Sequence, residues 1–83
     1  GSEWEGRRAG GFGQWSSFSF QNGKVLTCGE GGMVLTNDEA VDAALRSISN
    51  QGRRPGHTWF HHFDLASNAR FTGLQAAVLL GQL

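Results

Sequence analysis

From Leu74 to Leu83 the chain reads Leu-Gln-Ala-Ala-Val-Leu-Leu-Gly-Gln-Leu, and the helix this predicts is apolar nearly all round. Such a helix belongs in a protein core or in an interface between subunits. Only 83 residues are present to cover it, and a chain this short buries a small share of its surface. Thr72-Gly73-Leu74-Gln75 has capping-box spacing, which starts the helix at Thr72. The pattern then runs through Leu83 with no glycine or asparagine after it to close the helix. The chain therefore reads as an internal fragment, expected to be poorly ordered and inactive on its own.

Beyond this segment the composition is ordinary for a globular protein: 39% hydrophobic, 17% charged, and no formal net charge. No basic footprint points to nucleic acid, and Arg7-Arg8 and Arg53-Arg54 read as solvated surface pairs. The apolar run from Ala76 to Leu80 is too short to cross a bilayer, and no secretory signal pattern is present. A cytoplasmic location with no membrane partner is the default expectation. One cysteine excludes an internal disulfide. Thirteen glycines against one proline imply tight turns or close backbone approaches.

Residues 3–14 read as loop, with Gly6, Gly10, Gly11 and Gly13 closely spaced. In Trp15-Ser16-Ser17-Phe18-Ser19-Phe20 the phenylalanines alternate with serines, which is strand periodicity with the aromatics toward a core. Gln21-Asn22-Gly23 is turn chemistry leading to Lys24. The glycines of Gly29-Glu30-Gly31-Gly32 fall between the short runs Val25–Cys28 and Met33–Thr36, the pattern of a hairpin turn. Thr36-Asn37-Asp38-Glu39 has capping-box spacing, and Val41, Ala44, Leu45 and Ile48 follow as one helical stripe. Residues 49–58 form a loop, and Trp59–Phe63 is aromatic enough for a short strand.

Several site chemistries can be weighed. A phosphate-binding loop at Gly23-Lys24 needs glycine at 18 and a hydroxyl residue at 25, where the chain has Phe18 and Val25. Gly11-Phe12-Gly13 lacks the third glycine of a dinucleotide fingerprint, because Ser16 stands there. His57 and His61 have helical spacing, but no glutamate follows His57 and Pro55-Gly56 opposes a helix. No metal site is expected, and packing or hydrogen bonding is the default role for His57, His61 and His62. A small binding module presenting Trp4, Trp15 and Trp59 accounts for the aromatics but not for the apolar helix.

Lys24 is the sharpest candidate. On position alone, a lysine between two strand-like runs is a surface charge. Ser19, on the face opposite the phenylalanines, and Gly23, which permits an unusual turn beside the amine, add a chemical reading beside the surface one, and the two stay open on these residues alone. An amine that forms an imine must be partly desolvated to free its lone pair. A nearby hydroxyl can hold a phosphate handle.

Three blocks in order resemble the DegT/DnrJ/StrS family of pyridoxal 5'-phosphate (PLP) dependent enzymes. They are Phe18-Ser19-Phe20 with Lys24 and Gly29-Glu30-Gly31-Gly32, then Asn50-Gln51-Gly52, then Asn68-Ala69-Arg70-Phe71-Thr72-Gly73-Leu74-Gln75-Ala76-Ala77. The resemblance implies an α/β fold, with residues 1–83 forming part of the large PLP-binding domain of an aspartate-aminotransferase-like (fold type I) enzyme. It implies that Lys24 forms the imine with PLP and shuttles protons, and that Ser19 binds the cofactor phosphate. Asn68 would reach the PLP phosphate of a neighbouring subunit, making the enzyme a homodimer with shared sites. The aspartate that pairs with the pyridine nitrogen would lie just upstream of Gly1. Within the family, Gln21-Asn22-Gly23 resembles the 3-amino-5-hydroxybenzoate (AHBA) synthases, which dehydrate and aromatise an aminodehydroshikimate for ansamycin-type antibiotics. Cyclitol aminotransferases share the glutamine, so an aminotransferase acting on a keto-cyclitol or keto-sugar is the alternative expectation.

Overall fold

The computed structural model describes residues 1–83. The chain divides into two compact units, one of residues 1–37 with 71–83 and one of residues 38–70.

The first unit opens with strands β1 (Glu3–Trp4) and β2 (Arg7–Arg8), paired antiparallel with Glu3 opposite Arg8. Sequence pattern marks this stretch as loop. The difference lies in Glu5 and Gly6, whose φ angles of 49° and 74° are both positive. Two such residues make the turn whose twist suits a two-residue hairpin. Strands β3 (Trp15–Ser19) and β4 (Gly32–Thr36) form the second antiparallel pair, in register from Trp15 opposite Thr36 to Ser19 opposite Gly32. The alternation of Phe18 with Ser17 and Ser19 does mark a strand here.

The expected hairpin turn at Gly29–Gly32 is not formed. Instead β3 and β4 are joined by a loop over residues 20–31, and Val25–Cys28 is not a strand. The reason is Phe20. Its N–H donates to Gly31 O at 2.8 Å, and its carbonyl accepts from Cys28 N at 3.0 Å and from the Thr27 hydroxyl at 3.1 Å. With these groups taken, Val25–Cys28 folds back on the strand end and leaves the Val25 side chain 99% exposed.

The helix of this unit is α2 (Gly73–Leu80), the last element of the chain. It has the expected capping box: Gln75 N donates to the Thr72 hydroxyl, and the Gln75 side chain accepts from Thr72 N at 2.9 Å. It stops at Gly81 rather than running through Leu83. Gln82 leaves the helix to bond the loop, its Nε2 donating to Thr27 O at 2.6 Å and its Oε1 accepting from Thr27 N at 3.0 Å. Gln75 Nε2 donates to Glu30 O at 2.6 Å, so α2 (Gly73–Leu80) is tied to the 20–31 loop at two points. Leu79 is buried, whereas Leu74, Val78 and Leu80 are exposed.

In the second unit, α1 (Glu39–Ser49) is capped by Asp38 and not by Thr36. The Asp38 carboxylate accepts from Ala40 N and Val41 N at 2.8 and 3.1 Å. Thr36 ends β4 and donates its hydroxyl to Gln14 O at 2.8 Å, so the strand ladder had claimed it. Val41 and Leu45 of the apolar stripe are half-buried, while Ala44 and Ile48 are exposed. Past the helix, Asn50 bridges to Asn68, flanked by Gln51 N to Ser67 O at 3.0 Å and Ala69 N to Ser49 O at 2.9 Å. Gln51 and Gly52 are both left-handed, with φ of 61° and 75°. Gly52 is also buried so tightly that a Cβ there would collide with the Asp64 backbone. Trp59–Phe63 is not a strand: His61 N closes a turn onto Thr58 O, and no strand edge lies beside it.

Replacing Asp38 by alanine in the full-length protein should cost about 1 kcal/mol of stability, the usual worth of an N-cap. Gly52→Ala should cost more, because it combines left-handed strain with a backbone collision. Urea denaturation checks both, and a Gly52→Ala cost at or below that of Asp38→Ala would contradict this account of the turn.

Candidate functional site

Lys24 stands in the 20–31 loop of the first unit, where its N–H closes a turn onto Gln21 O at 2.9 Å. The turn does not use the conformational freedom of Gly23, whose φ is not positive. The expectation of an unusual backbone there is therefore corrected. The Gln21 side chain stabilises the turn instead, its Oε1 accepting from Gly23 N at 2.8 Å. Sequence pattern identified Gln21 as a turn residue but not as the group that pins the turn, because a glutamine reaching back to the backbone leaves no periodic trace. The Lys24 side chain is exposed, and its amine makes no hydrogen bond or ion pair within the chain.

Ser19 is the last residue of β3, on the same stretch of chain as Lys24. Its Oγ accepts from Gln21 N at 3.3 Å, and the hydroxyl proton is not donated to any group in the chain. In the second unit, Asn68 Oδ1 accepts from Arg70 N at 3.2 Å. That fixes the carboxamide and leaves its NH2 as an open donor. Arg70 itself is held by Asn50 Oδ1 at 2.6 Å and Gln51 Oε1 at 3.1 Å. Asn50, Gln51, Asn68 and Arg70 thus make one cluster, which joins two of the sequence blocks.

The second unit is further fastened by Asp64. Its carboxylate accepts from Ser47, the buried polar residue of α1, at 2.5 Å, and from Arg54 at 2.8 and 3.2 Å. The hydrogen bond from Arg54, followed by that from Ser47, lowers the Asp64 carboxyl from its ordinary value, and the same contact raises Arg54. The histidines have local roles. His61 stacks on Phe63 with ring centroids 4.3 Å apart, His57 tilts against the same ring at 4.5 Å, and His62 Nδ1 lies 2.6 Å from Gln51 O. No group of three or more histidine, cysteine or acidic side chains is arranged to hold a metal ion. No helix is long and apolar enough to cross a membrane.

An uncommitted amine and a strand-end hydroxyl in the first unit are groups that suit a carbonyl cofactor carrying an anionic handle. The chain belongs to the DegT/DnrJ/EryC1/StrS aminotransferase family, whose profile matches residues 1–83. Family members are PLP-dependent aminotransferases. The chain is 42% identical over 83 residues to a Streptomyces kanamyceticus protein provisionally named L-glutamine:3-amino-2,3-dideoxy-scyllo-inosose aminotransferase, covering 99% of this chain and 20% of the relative. It is 37% identical to the GDP-perosamine synthase of Caulobacter vibrioides, covering 100% of this chain and 22% of the relative. It is 34% identical to a Bacillus subtilis protein provisionally named a pyridoxal phosphate-dependent aminotransferase, covering 100% and 21%. The chain spans about a fifth of the length of these relatives.

Asp64 is a source of acid sensitivity. Its folded pKa is depressed, so its contribution to stability is present above the ordinary carboxylate value, 3.8, and is lost as pH falls through the lower folded value. In the full-length protein, Asp64→Asn should flatten the fall of stability with pH below about 4. Denaturation midpoints measured across that range test this. An unchanged slope would show that other carboxylates carry the acid response.

Proposed function

We propose that the protein containing this chain is a PLP-dependent aminotransferase that transfers an amino group to a keto-cyclitol or keto-sugar. The observation that carries this reading is the free Lys24 amine on a turn pinned by Gln21, in a chain of this family. The printed names of the relatives, a cyclitol aminotransferase and a GDP-perosamine synthase, supply the substrate class. The fold reading is that residues 1–83 form part of the large domain of a fold type I enzyme.

The chemistry that PLP supplies when bound is an aldehyde for an amine and an electron sink for the bond broken beside it. The residues of this chain divide the remaining work. Lys24 Nζ would hold the cofactor and would move a proton at the carbon bearing the transferred nitrogen. The Ser19 hydroxyl would donate to a phosphate oxygen of the cofactor held by its own chain, and the Asn68 NH2 would donate to that of a neighbouring subunit. The pinned turn keeps Nζ in place without spending its N–H groups on the protein. In a homodimer with shared sites, Asn68 serves the partner's cofactor, and the exposed Leu74, Val78 and Leu80 of α2 give an apolar surface suited to burial in a larger assembly. A cytoplasmic location completes the reading.

A second reading keeps the same residues but ends in dehydration and aromatisation, as in an AHBA synthase. The likeness of Gln21-Asn22-Gly23 to those enzymes favours it. The two readings differ in their need for a donor. The amination reading expects turnover of a keto-cyclitol or keto-sugar only with L-glutamine or L-glutamate, followed by mass spectrometry of the aminated product. An aromatic product from aminodehydroshikimate with no added donor would establish the second reading.

Lys24 and the shared site can be tested together. Borohydride should attach the cofactor covalently to Lys24 in the full-length enzyme and fail to do so in Lys24→Ala, whose turnover should fall by several orders of magnitude. Mixing inactive Lys24→Ala and Asn68→Ala subunits should restore about a quarter of wild-type activity, because half the dimers are hybrids with one intact site. No recovery despite confirmed subunit exchange would place Asn68 in its own chain's site.

A further inference from the structure

Lys24 lies in a closed stretch of the 20–31 loop. Upstream, its N–H bonds Gln21 O. Downstream, Val25 and Leu26 make no hydrogen bond, so the next hold on the chain is Thr27. The Thr27 hydroxyl donates to Phe20 O at 3.1 Å, and Cys28 N donates to the same oxygen at 3.0 Å, which closes residues 20–28 on themselves. These bonds are internal to the stretch. They fix its shape and not its direction.

Gln82 supplies the outside constraint. Its carboxamide repeats the donor and acceptor of a peptide, and it engages both backbone groups of Thr27. Oε1 accepts from Thr27 N at 3.0 Å, and Nε2 donates to Thr27 O at 2.6 Å. The other Nε2 proton goes to Val78 O at 2.8 Å, and Gln82 N donates to Leu79 O at 2.9 Å. The side chain that grips Thr27 is therefore fastened to the last turn of α2, beside the buried Leu79. Glutamate in its place keeps the acceptor for Thr27 N but sets oxygens against the Thr27 and Val78 carbonyls, and methionine keeps the length without a strong donor or acceptor.

We propose that Gln82 is a positioning residue for Lys24: through Thr27 it fixes the direction of the closed stretch, and so sets the rate at which the Lys24 amine attacks the PLP aldehyde. The proposal rests on Lys24 being the residue that bonds the cofactor. In that attachment the neutral amine adds to the aldehyde carbon, a C=N bond replaces C=O, and the oxygen leaves as water with the two amine protons. A reacting group displaced by about 1 Å can lose up to about a hundredfold in rate.

The test mixes full-length apoenzyme with saturating PLP and follows the absorbance of the Lys24–PLP linkage by stopped flow. Borohydride and peptide mapping then identify the attached residue. Gln82→Met should lower the first-order rate constant about tenfold or more while reaching the wild-type amplitude. Gln82→Glu, which keeps one of the three side-chain bonds, should be slow as well. Poor folding lowers the amplitude and the melting temperature but not the rate constant of the folded fraction. Asp38→Ala, destabilised in the other unit, is the control and should attach PLP at the wild-type rate. The proposal is overturned if both Gln82 variants attach PLP at the wild-type rate, if only their amplitude falls, or if Asp38→Ala is as slow as they are. Wild-type enzyme that carries the cofactor on another residue, or on none, overturns the assignment of Lys24 and this proposal with it.

Discussion

The first unit depends on the backbone of Phe20. With its N–H given to Gly31 and its carbonyl shared by Cys28 and Thr27, this residue ends the β3–β4 ladder and closes the loop that carries Lys24. Its ring meets Phe71, 6.2 Å between centroids, immediately before the cap of α2. Gln75 and Gln82 then hold the same loop from the helix side. A flexible amine becomes useful chemistry only when the backbone beneath it is held, since a reacting group displaced by about 1 Å loses much of its rate. The loop is long for a hairpin connection, and the hydrogen bonds to Phe20, Gln75 and Gln82 are what give it a defined path.

The second unit solves a similar problem without a sheet. The left-handed pair Gln51-Gly52 reverses the chain after α1, and Gly52 packs against the Asp64 backbone where no side chain fits. Ser47 and Arg54 converge on the Asp64 carboxylate, so the helix and both flanks of the loop are fastened at one residue. From that frame Asn50 and Gln51 hold Arg70, and the Arg70 backbone in turn orients Asn68. The free amide donor of Asn68 is thus the end of a chain of contacts that begins at a buried serine. The aromatic residues after Gly56 serve as platforms: Phe63 for two histidines, and Trp59 for Arg53.

Much of this was legible in the residues themselves. Period-two alternation marked β3, period-three-to-four spacing marked α1, and the Thr72–Gln75 box marked the start of α2, because each depends on contacts within a few residues. Lys24, Ser19 and Asn68 stood out through short blocks shared with a family, and the family itself is shown by the match over residues 1–83. The β1–β2 hairpin was missed because Glu5 gives no sign that it will adopt a positive φ. Thr36 was taken for a helix cap because its spacing fits, although the strand ladder had already engaged it.

What the sequence determined by itself was therefore local: the types of the principal elements, one cap, and the blocks that mark the family. What only the tertiary structure decided was where hydrogen-bonding groups distant in sequence found partners. Phe20 rather than the glycine cluster closes the lysine loop, Gln82 ends α2 by bonding Thr27, and Arg53 leaves solvent for the face of Trp59. The physical reason is that backbone and side-chain polar groups must be satisfied somewhere once water is withdrawn, and the partner is chosen by proximity in space.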